Sequence, residues 1–342
     1  MARNKNKSKA VFEALSEMVF GQDHAVDIVS RRVNVFEAGL NPEGRPAGVL
    51  FLLGPTGSGK THMAESLAHA LHGSKRHVLR VDCGEYQLEH EVAKLIGAPP
   101  GYLGHRETNP LLTQARLASM TSEKSNLSIV LFDEIEKAAP SLIRILLGVL
   151  DKGTLRLGDN NSVNFERTII FMTSNLGSAG MHEQGVNRFQ MNGRSQSGDT
   201  NARVEETGMA AVRRHFSPEF YNRVDDFIVF RNIADFRQIL ERELSVLNET
   251  LTVRLGNRRV FPELTESART FLLEVGTSKK YGARELKRAI HRHLIDPLAQ
   301  LLTSGEAPPM SVVKVTHRKG SARLTLTPKN GDASLLEIME AA

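Results

Sequence analysis

The chain has 342 residues, 40% hydrophobic and 24% charged, an ordinary globular composition that allows one large domain or two smaller ones. Its single cysteine, Cys83, excludes an internal disulfide and any cysteine-rich zinc module. No apolar run is long enough to span a bilayer. The basic start from Met1 to Lys9 has no signal-peptide apolar core behind it, so cytoplasmic residence is the expectation. The net charge of +5 is compatible with an acidic or nucleic-acid partner, but beyond the first residues the cations are dispersed and read as solvated surface.

In chain order, Val11, Phe12, Leu15, Met18 and Val19 fall at helical spacing, and Gly21 breaks that helix. Asp23 reads as the N-cap of a second helix with Ala25, Val26, Ile28, Val29 and Val33 on its apolar side. A Pro/Gly-rich loop over 41–48 delivers the apolar run Val-Leu-Phe-Leu-Leu, which reads as a buried parallel strand. Gly54, Pro55, Thr56, Gly57, Ser58, Gly59, Lys60 and Thr61 then match the phosphate-loop pattern in full, and a helix follows. Glycines let several backbone N–H groups point at one anion, and the helix start adds partial positive charge there. Lys60 is placed to reach the β- and γ-phosphates of a nucleotide, and the Thr61 hydroxyl to ligate Mg²⁺.

Residues 77–82 form a second strand candidate. The loop Gly97-Ala98-Pro99-Pro100-Gly101-Tyr102-Leu103-Gly104 cannot be regular helix or strand. Tyr102 there is either a side chain that packs back on the domain or an exposed contact for a partner. Residues 128–134 are an apolar strand ending in Asp133 and Glu134. Ligands in open parallel sheets bind at the carboxyl ends of strands, which puts both carboxylates beside the phosphate loop. Asp133 would hold Mg²⁺, and Glu134 would orient and deprotonate the attacking water. Residues 168–175 repeat the arrangement and deliver Asn175, either to the γ-phosphate or water, or as a turn cap. Residues 154–164 read as a hairpin, and the polar, glycine-rich run 177–208 as a mobile insertion. A last strand, 227–230, closes this part. From 234 to 302 the pattern reads as helices, with a stripe through Phe236, Ile239, Leu240, Leu244, Leu247 and Leu251. Residues 311–326 alternate around a Lys319-Gly320 turn and read as a second hairpin. A linker and a short acidic helix over 335–339 end the chain.

Together the strings Phe20-Gly21-Gln22-Asp23-His24-Ala25-Val26, GPTGSGKT, GAPPGYLG, LFDEIEKA, FMTSNLGS, PEFYNRVD and YGARELKRAI resemble the Clp/heat-shock class of AAA+ ATPases. The resemblance is closest to the second ATPase module of the ClpB disaggregases and covers nearly the whole chain. It implies an α/β fold: a parallel-sheet nucleotide-binding domain over 1–230, a mostly helical small domain with a β-hairpin over 231–330, and a tail over 331–342. It implies ATP and Mg²⁺ as cofactors. Position by position, Lys60 and Thr61 match Walker A, Asp133 and Glu134 match Walker B, and Asn175 matches sensor 1. Arg284 matches the sensor 2 arginine, and Arg223 the arginine finger that reaches a neighbour's ATP. Val19, Phe20 and Gln22 fall where the family grips adenine. Tyr102 and Leu103 fall on the pore loop that grips a translocating polypeptide.

A homo-hexameric ring that threads protein is therefore the expected function. The alternative is an ATPase that loads or positions a nucleic-acid-bound or other assembly partner. Departures from the family refine this. The chain carries a single ATPase module without a recruiting or coiled-coil middle domain, so an adaptor or recruiting protein is expected. Ser217 stands where relatives carry a second arginine. Gln184-Gly185-Val186 fits the peptidase-docking tripeptide poorly, so no ClpP docking is expected.

Overall fold

The computed structural model describes residues 2–97, 110–178, 197–233, 235–277 and 282–329, with side chains from 9 onward and, in the helix beginning at 197, from 202. Tyr102, Leu103, Gln184-Gly185-Val186, Tyr281 and the terminal acidic helix expected over 335–339 lie outside the described residues. The chain forms two compact units, Met1–Asn232 and Ile233–Ala342. Among the described residues no helix is long and apolar enough to cross a membrane.

The first unit opens with α1 (Ala2–Met18) and α2 (Asp23–Glu37), then β1 (Gly48–Leu53), α3 (Lys60–His72) and β2 (Leu79–Asp82). Short α4 (Ala93–Ile96) and α5 (Gln114–Ser119) lead to β3 (Ser128–Asp133) and α6 (Pro140–Lys152). The hairpin β4–β5 (Thr154–Arg156 and Ser162–Asn164), β6 (Thr168–Ser174), α7 (Ser197–His215), α8 (Pro218–Tyr221) and β7 (Asp226–Val229) complete it. Five strands make one sheet in the order β2-β3-β6-β1-β7, and every pairing is parallel. β1, β3 and β6 are buried along their whole length, which is why they read as unbroken apolar runs. Successive side chains go to opposite faces: Val49, Phe51 and Leu53 join one core, Leu50 and Leu52 the other. α6, α7 and α8 cover the first through Leu142, Leu146, Val212 and Phe220. α1, α2 and α3 cover the second through Leu15, Val29, Met63 and Leu67. Phe51 sits among Phe216 and Phe227, with centroids at 5.6 Å and 5.4 Å. Burying one such ring contributes roughly 1.5–3 kcal/mol.

Two expectations are corrected in this unit. Gln22, not Asp23, is the N-cap of α2. The run 177–208 is not wholly irregular, because α7 begins at 197. Val204, Gly208 and Val212 are the positions of α7 turned inward. So narrow a stripe within a polar helix does not stand out as a period.

At the end of α3, His72 is buried and stacks on His77 at 5.0 Å. Its Nδ1 lies 2.9 Å from Ser122 Oγ. Burial first, then the neighbouring His77, press its pKa below the ordinary value of 6.5. The unfolded chain therefore takes up a proton that the fold refuses, and stability is lost as pH falls through the unfolded value. Melting curves recorded from neutral pH downward are expected to show that decline, and His72→Gln to flatten it.

The second unit contains α9 (Arg237–Leu255), β8 (Phe261–Leu264), α10 (Glu266–Gly276), α11 (Ala283–Ile290), a π-helical turn (His291–Ile295) and α12 (Asp296–Thr303). β9 (Val312–His317) and β10 (Leu324–Lys329) follow. β9 and β10 make the expected hairpin, but β8 adds a parallel strand on the other side of β9. The stretch 234–302 is thus not uniformly helical. β8 has four residues and contains Pro262, which cannot donate to a ladder and so belongs on an edge. An edge is where it lies, in the order β10-β9-β8. Gly276 lets α10 approach α11 closely, since a Cβ there would lie 2.7 Å from the Leu286 side chain.

Candidate nucleotide site

The loop between β1 and α3 is built on left-handed glycines: φ is 150° at Gly54, 79° at Gly57 and 104° at Gly59. Gly54 also has no room for a side chain, because a Cβ would lie 2.5 Å from the Phe230 carbonyl oxygen. The Phe230 N–H donates to Leu53 O at 2.6 Å, so the end of β7 runs directly against the loop. Gly54→Ala is expected to destabilise the fold by roughly 1–3 kcal/mol, read as a lower urea midpoint.

Lys60, the first residue of α3, is buried. Its Nζ donates to Gly54 O at 2.6 Å, Pro55 O at 2.9 Å and Asn175 Oδ1 at 2.8 Å. A buried ammonium inside a loop of left-handed glycines at a helix start fits a polyphosphate well. β6 lies between β1 and β3. Asn175, just past its carboxyl end, therefore stands between the phosphate loop and Asp133. The Asp133 carboxylate is largely buried, accepts from the Thr173 hydroxyl and pairs with Arg80. Thr61 Oγ1 faces both its oxygens at 3.4 Å and 3.5 Å, longer than a strong hydroxyl bond. A hydroxyl opposed to a buried carboxylate is an oxygen donor set suited to Mg²⁺.

Glu134 has φ 56°, a left-handed conformation that costs a non-glycine residue energy and marks strained functional positions. Its N–H donates to Thr173 Oγ1 at 3.1 Å, and its carboxylate pairs with Lys137. The hydrogen bond and charge of Glu134 raise the Lys137 pKa above its ordinary value. Glu136 Oε1 accepts the Asn175 N–H at 3.0 Å, which links β6 to the turn after β3.

The remaining candidates are placed as follows. Val19 is buried in the core under α1–α3, and Phe20 is half-buried. Gln22 is wholly buried, with its amide engaged by backbone groups of Ser58 and Arg231. Arg223 pairs with Glu219 at 3.1 Å and Asp151 at 3.6 Å. Asp225 and Asp226, its neighbours in sequence, are occupied elsewhere. Asp225 accepts from the Val49 N–H and pairs with Arg45, and Asp226 pairs with Arg32. Ser217 caps α8 by accepting the Phe220 N–H at 3.3 Å. Arg284 is exposed on the first turn of α11.

The structure adds Arg80, Thr173, Glu136 and Lys137 to the residues that the sequence points to. Thr173 carries no distinct sign, because β6 also holds the hydroxyls of Thr168 and Ser174. Arg80 and Glu136 carry none, because their contacts follow from strand order.

A five-stranded parallel sheet with a phosphate loop after β1 and acidic and amide side chains at the ends of β3 and β6 defines a P-loop nucleotide-binding domain. The AAA domain (Cdc48 subfamily) profile matches residues 45–227, just over half of the chain, and the chain belongs to that family. The profile of the C-terminal, D2-small domain of ClpB matches residues 233–315.

Among curated relatives, the chaperone protein ClpB of Agrobacterium fabrum (strain C58) is 41% identical over 323 residues. That match covers 94% of this chain and 34% of the relative. ClpB of Meiothermus ruber is 38% identical over 306 residues, covering 90% and 34%. The chain therefore spans about a third of the length of the curated relatives it matches. A closed-state reconstruction of Hsp104 with ATPγS and FITC-casein superposes with TM-score 0.77 at 30% identity, covering 96% of this chain and 52% of that one. The S. cerevisiae Hsp104–casein complex in its extended conformation gives 0.79 at 29%, covering 94% and 52%. The resemblance to the C-terminal ATPase module of the ClpB group is borne out.

Proposed function

We propose that the chain is the ATP-hydrolysing motor of a protein-remodelling machine, assembled as a hexameric ring that threads polypeptide. The observation that carries this reading is the convergence of Lys60, Thr61, Asp133, Glu134 and Asn175 at the carboxyl ends of three adjacent strands. Lys60 and the N–H groups of the glycine loop hold the nucleotide phosphates. Thr61 and Asp133 hold Mg²⁺, which when bound neutralises phosphate charge. Val19 and Phe20 border the base. Glu134 exchanges Lys137 for water, orients it and takes its proton. Asn175, held by Glu136 and Lys60, orients the same reaction centre. Arg223 leaves Glu219 and Asp151 to balance charge on a neighbouring subunit's nucleotide, and Arg284 senses the nucleotide from the small domain.

Relatives named as chaperones and Hsp104 structures containing casein support a polypeptide track, with Tyr102 and Leu103 as its grip. A tyrosine grips chain of any sequence by packing, which suits a non-specific substrate. A recruiting protein or adaptor belongs to this reading as a proposed partner. ClpP docking and membrane attachment do not, and the cytoplasm is the site of action. Tyr102→Ala is expected to keep ATP turnover and abolish unfolding of a tagged folded substrate, measured by loss of its fluorescence. Unfolding that persists in this variant overturns threading by Tyr102.

A further inference from the structure

Gln22 breaks a local rule. It occupies the N-cap of α2, where a short polar side chain normally satisfies the first free N–H groups, yet its side chain makes no capping bond. Its main-chain carbonyl does the helical work, accepting from Ala25 N at 2.8 Å and Val26 N at 3.1 Å. The side chain reaches instead to two segments distant in sequence. Nε2 donates to the Ser58 carbonyl at 3.3 Å and to the Arg231 carbonyl at 2.8 Å, while Oε1 accepts the Arg231 N–H at 3.2 Å. With Arg231 the amide makes a two-bond pairing like that between strands. The residue is 0% exposed, so each bond is made out of water and is costly to leave unmade.

The segment it grips is one residue from the end of the first unit, which closes at Asn232. The same segment meets the phosphate loop at two further points. Phe230 lies so close to Gly54 that no Cβ fits between them, and its ring edge is 3.9 Å from where a Gly59 Cβ would stand. The α2 side holds it again through His24 Nε2, 2.9 Å from Val229 O. The loop, the start of α2 and the chain leading out of the unit are thus tied through one amide.

We infer that Gln22 is a positioning residue that couples the phosphate loop to the connector into the second unit, so that occupation of the loop by a nucleoside triphosphate is felt at Arg231. This rests on the nucleotide-site reading above. A shift of Ser58 around bound phosphates moves the Gln22 amide, and the amide carries the Arg231 backbone with it. An apolar side chain of similar length would fill the space and transmit nothing.

The test uses the full chain, labelled for energy transfer at Leu40→Cys and Val253→Cys, both exposed and one in each unit; Cys83 is buried. ATPγS is added to saturation, so a change in affinity does not enter. The unmodified amide is expected to give a nucleotide-dependent change in transfer. Gln22→Met, which fills the volume without hydrogen bonds, and Gln22→Glu, which turns a carboxylate toward two carbonyls, are expected to lose more than half of that change. Variants that keep the full change overturn the coupling. If both variants fail to fold, hydrogen exchange on the unmodified chain decides: peptides covering 54–61 and 229–232 must change protection together on adding ATPγS. A 229–232 peptide indifferent to nucleotide overturns the inference. A chain that binds no fluorescent ATP analogue at all overturns the nucleotide reading itself, a separate and prior result.

Discussion

Arg223→Ala is expected to lower ATP turnover of the assembled protein by on the order of 10³–10⁵, the range set by arginine fingers on transferring phosphoryl groups. The loss arises in the transition state, where charge develops on a neighbour's nucleotide, so binding of ATP to each chain's own loop should survive. Stability should change little. The ion-pair partners of Arg223 are exposed carboxylates, 50% for Asp151 and 60% for Glu219, and its Nη1 also donates to the Glu219 carbonyl at 2.9 Å. Ion pairs of that kind contribute about 0–1 kcal/mol. In the proposed ring the guanidinium would exchange these bonds for a neighbour's nucleotide. Mixing settles whether it acts across an interface. Arg223→Ala chains keep a sound loop, and Lys60→Ala chains keep a sound finger. Assemblies of the two should regain turnover that neither shows alone. Full turnover by Arg223→Ala alone contradicts the role.

Glu134→Gln is expected to cut turnover by about 10²–10⁴, the usual contribution of a positioned base. Glutamine keeps the length and the left-handed backbone of this position, so the strain at φ 56° is unchanged and the fold should tolerate it. Lys137 loses its partner, and its pKa should return toward the ordinary value because the cause of its rise is gone. The variant should hold nucleotide and substrate through a pull-down that the unmodified protein does not survive. Turnover within tenfold of the parent would remove Glu134 from the reaction.

Much of this was legible in the residues. β1, β3 and β6 are buried on both faces, so their apolar character is continuous and their ends are sharp. Those ends are where Lys60, Asp133, Glu134 and Asn175 appear, and parallel-sheet geometry alone sends them to one edge. Strand order was not legible. It is the position of β6 between β1 and β3 that brings Thr173 to Asp133 and Asn175 to Lys60. α7 escaped because its inward stripe is thin, and β8 because four residues with a proline form a strand only against β9. Gln22 shows the limit from another side. Its neighbourhood pointed to the base, whereas its side chain answers to main-chain groups 36 and 209 positions away, separations that no local pattern encodes.

The sheet also constrains what can act as the moving part. Neighbouring strands stand about 4.7–4.9 Å apart and are laced by ladder bonds. The amide and the acidic pair, at the ends of β6 and β3, are thus mounted on a frame that cannot stretch. If the chain is the motor proposed above, work drawn from hydrolysis would have to appear as displacement of what hangs from that frame, its loops and its exit strand, while the spacing of the groups on the strand ends stays the same.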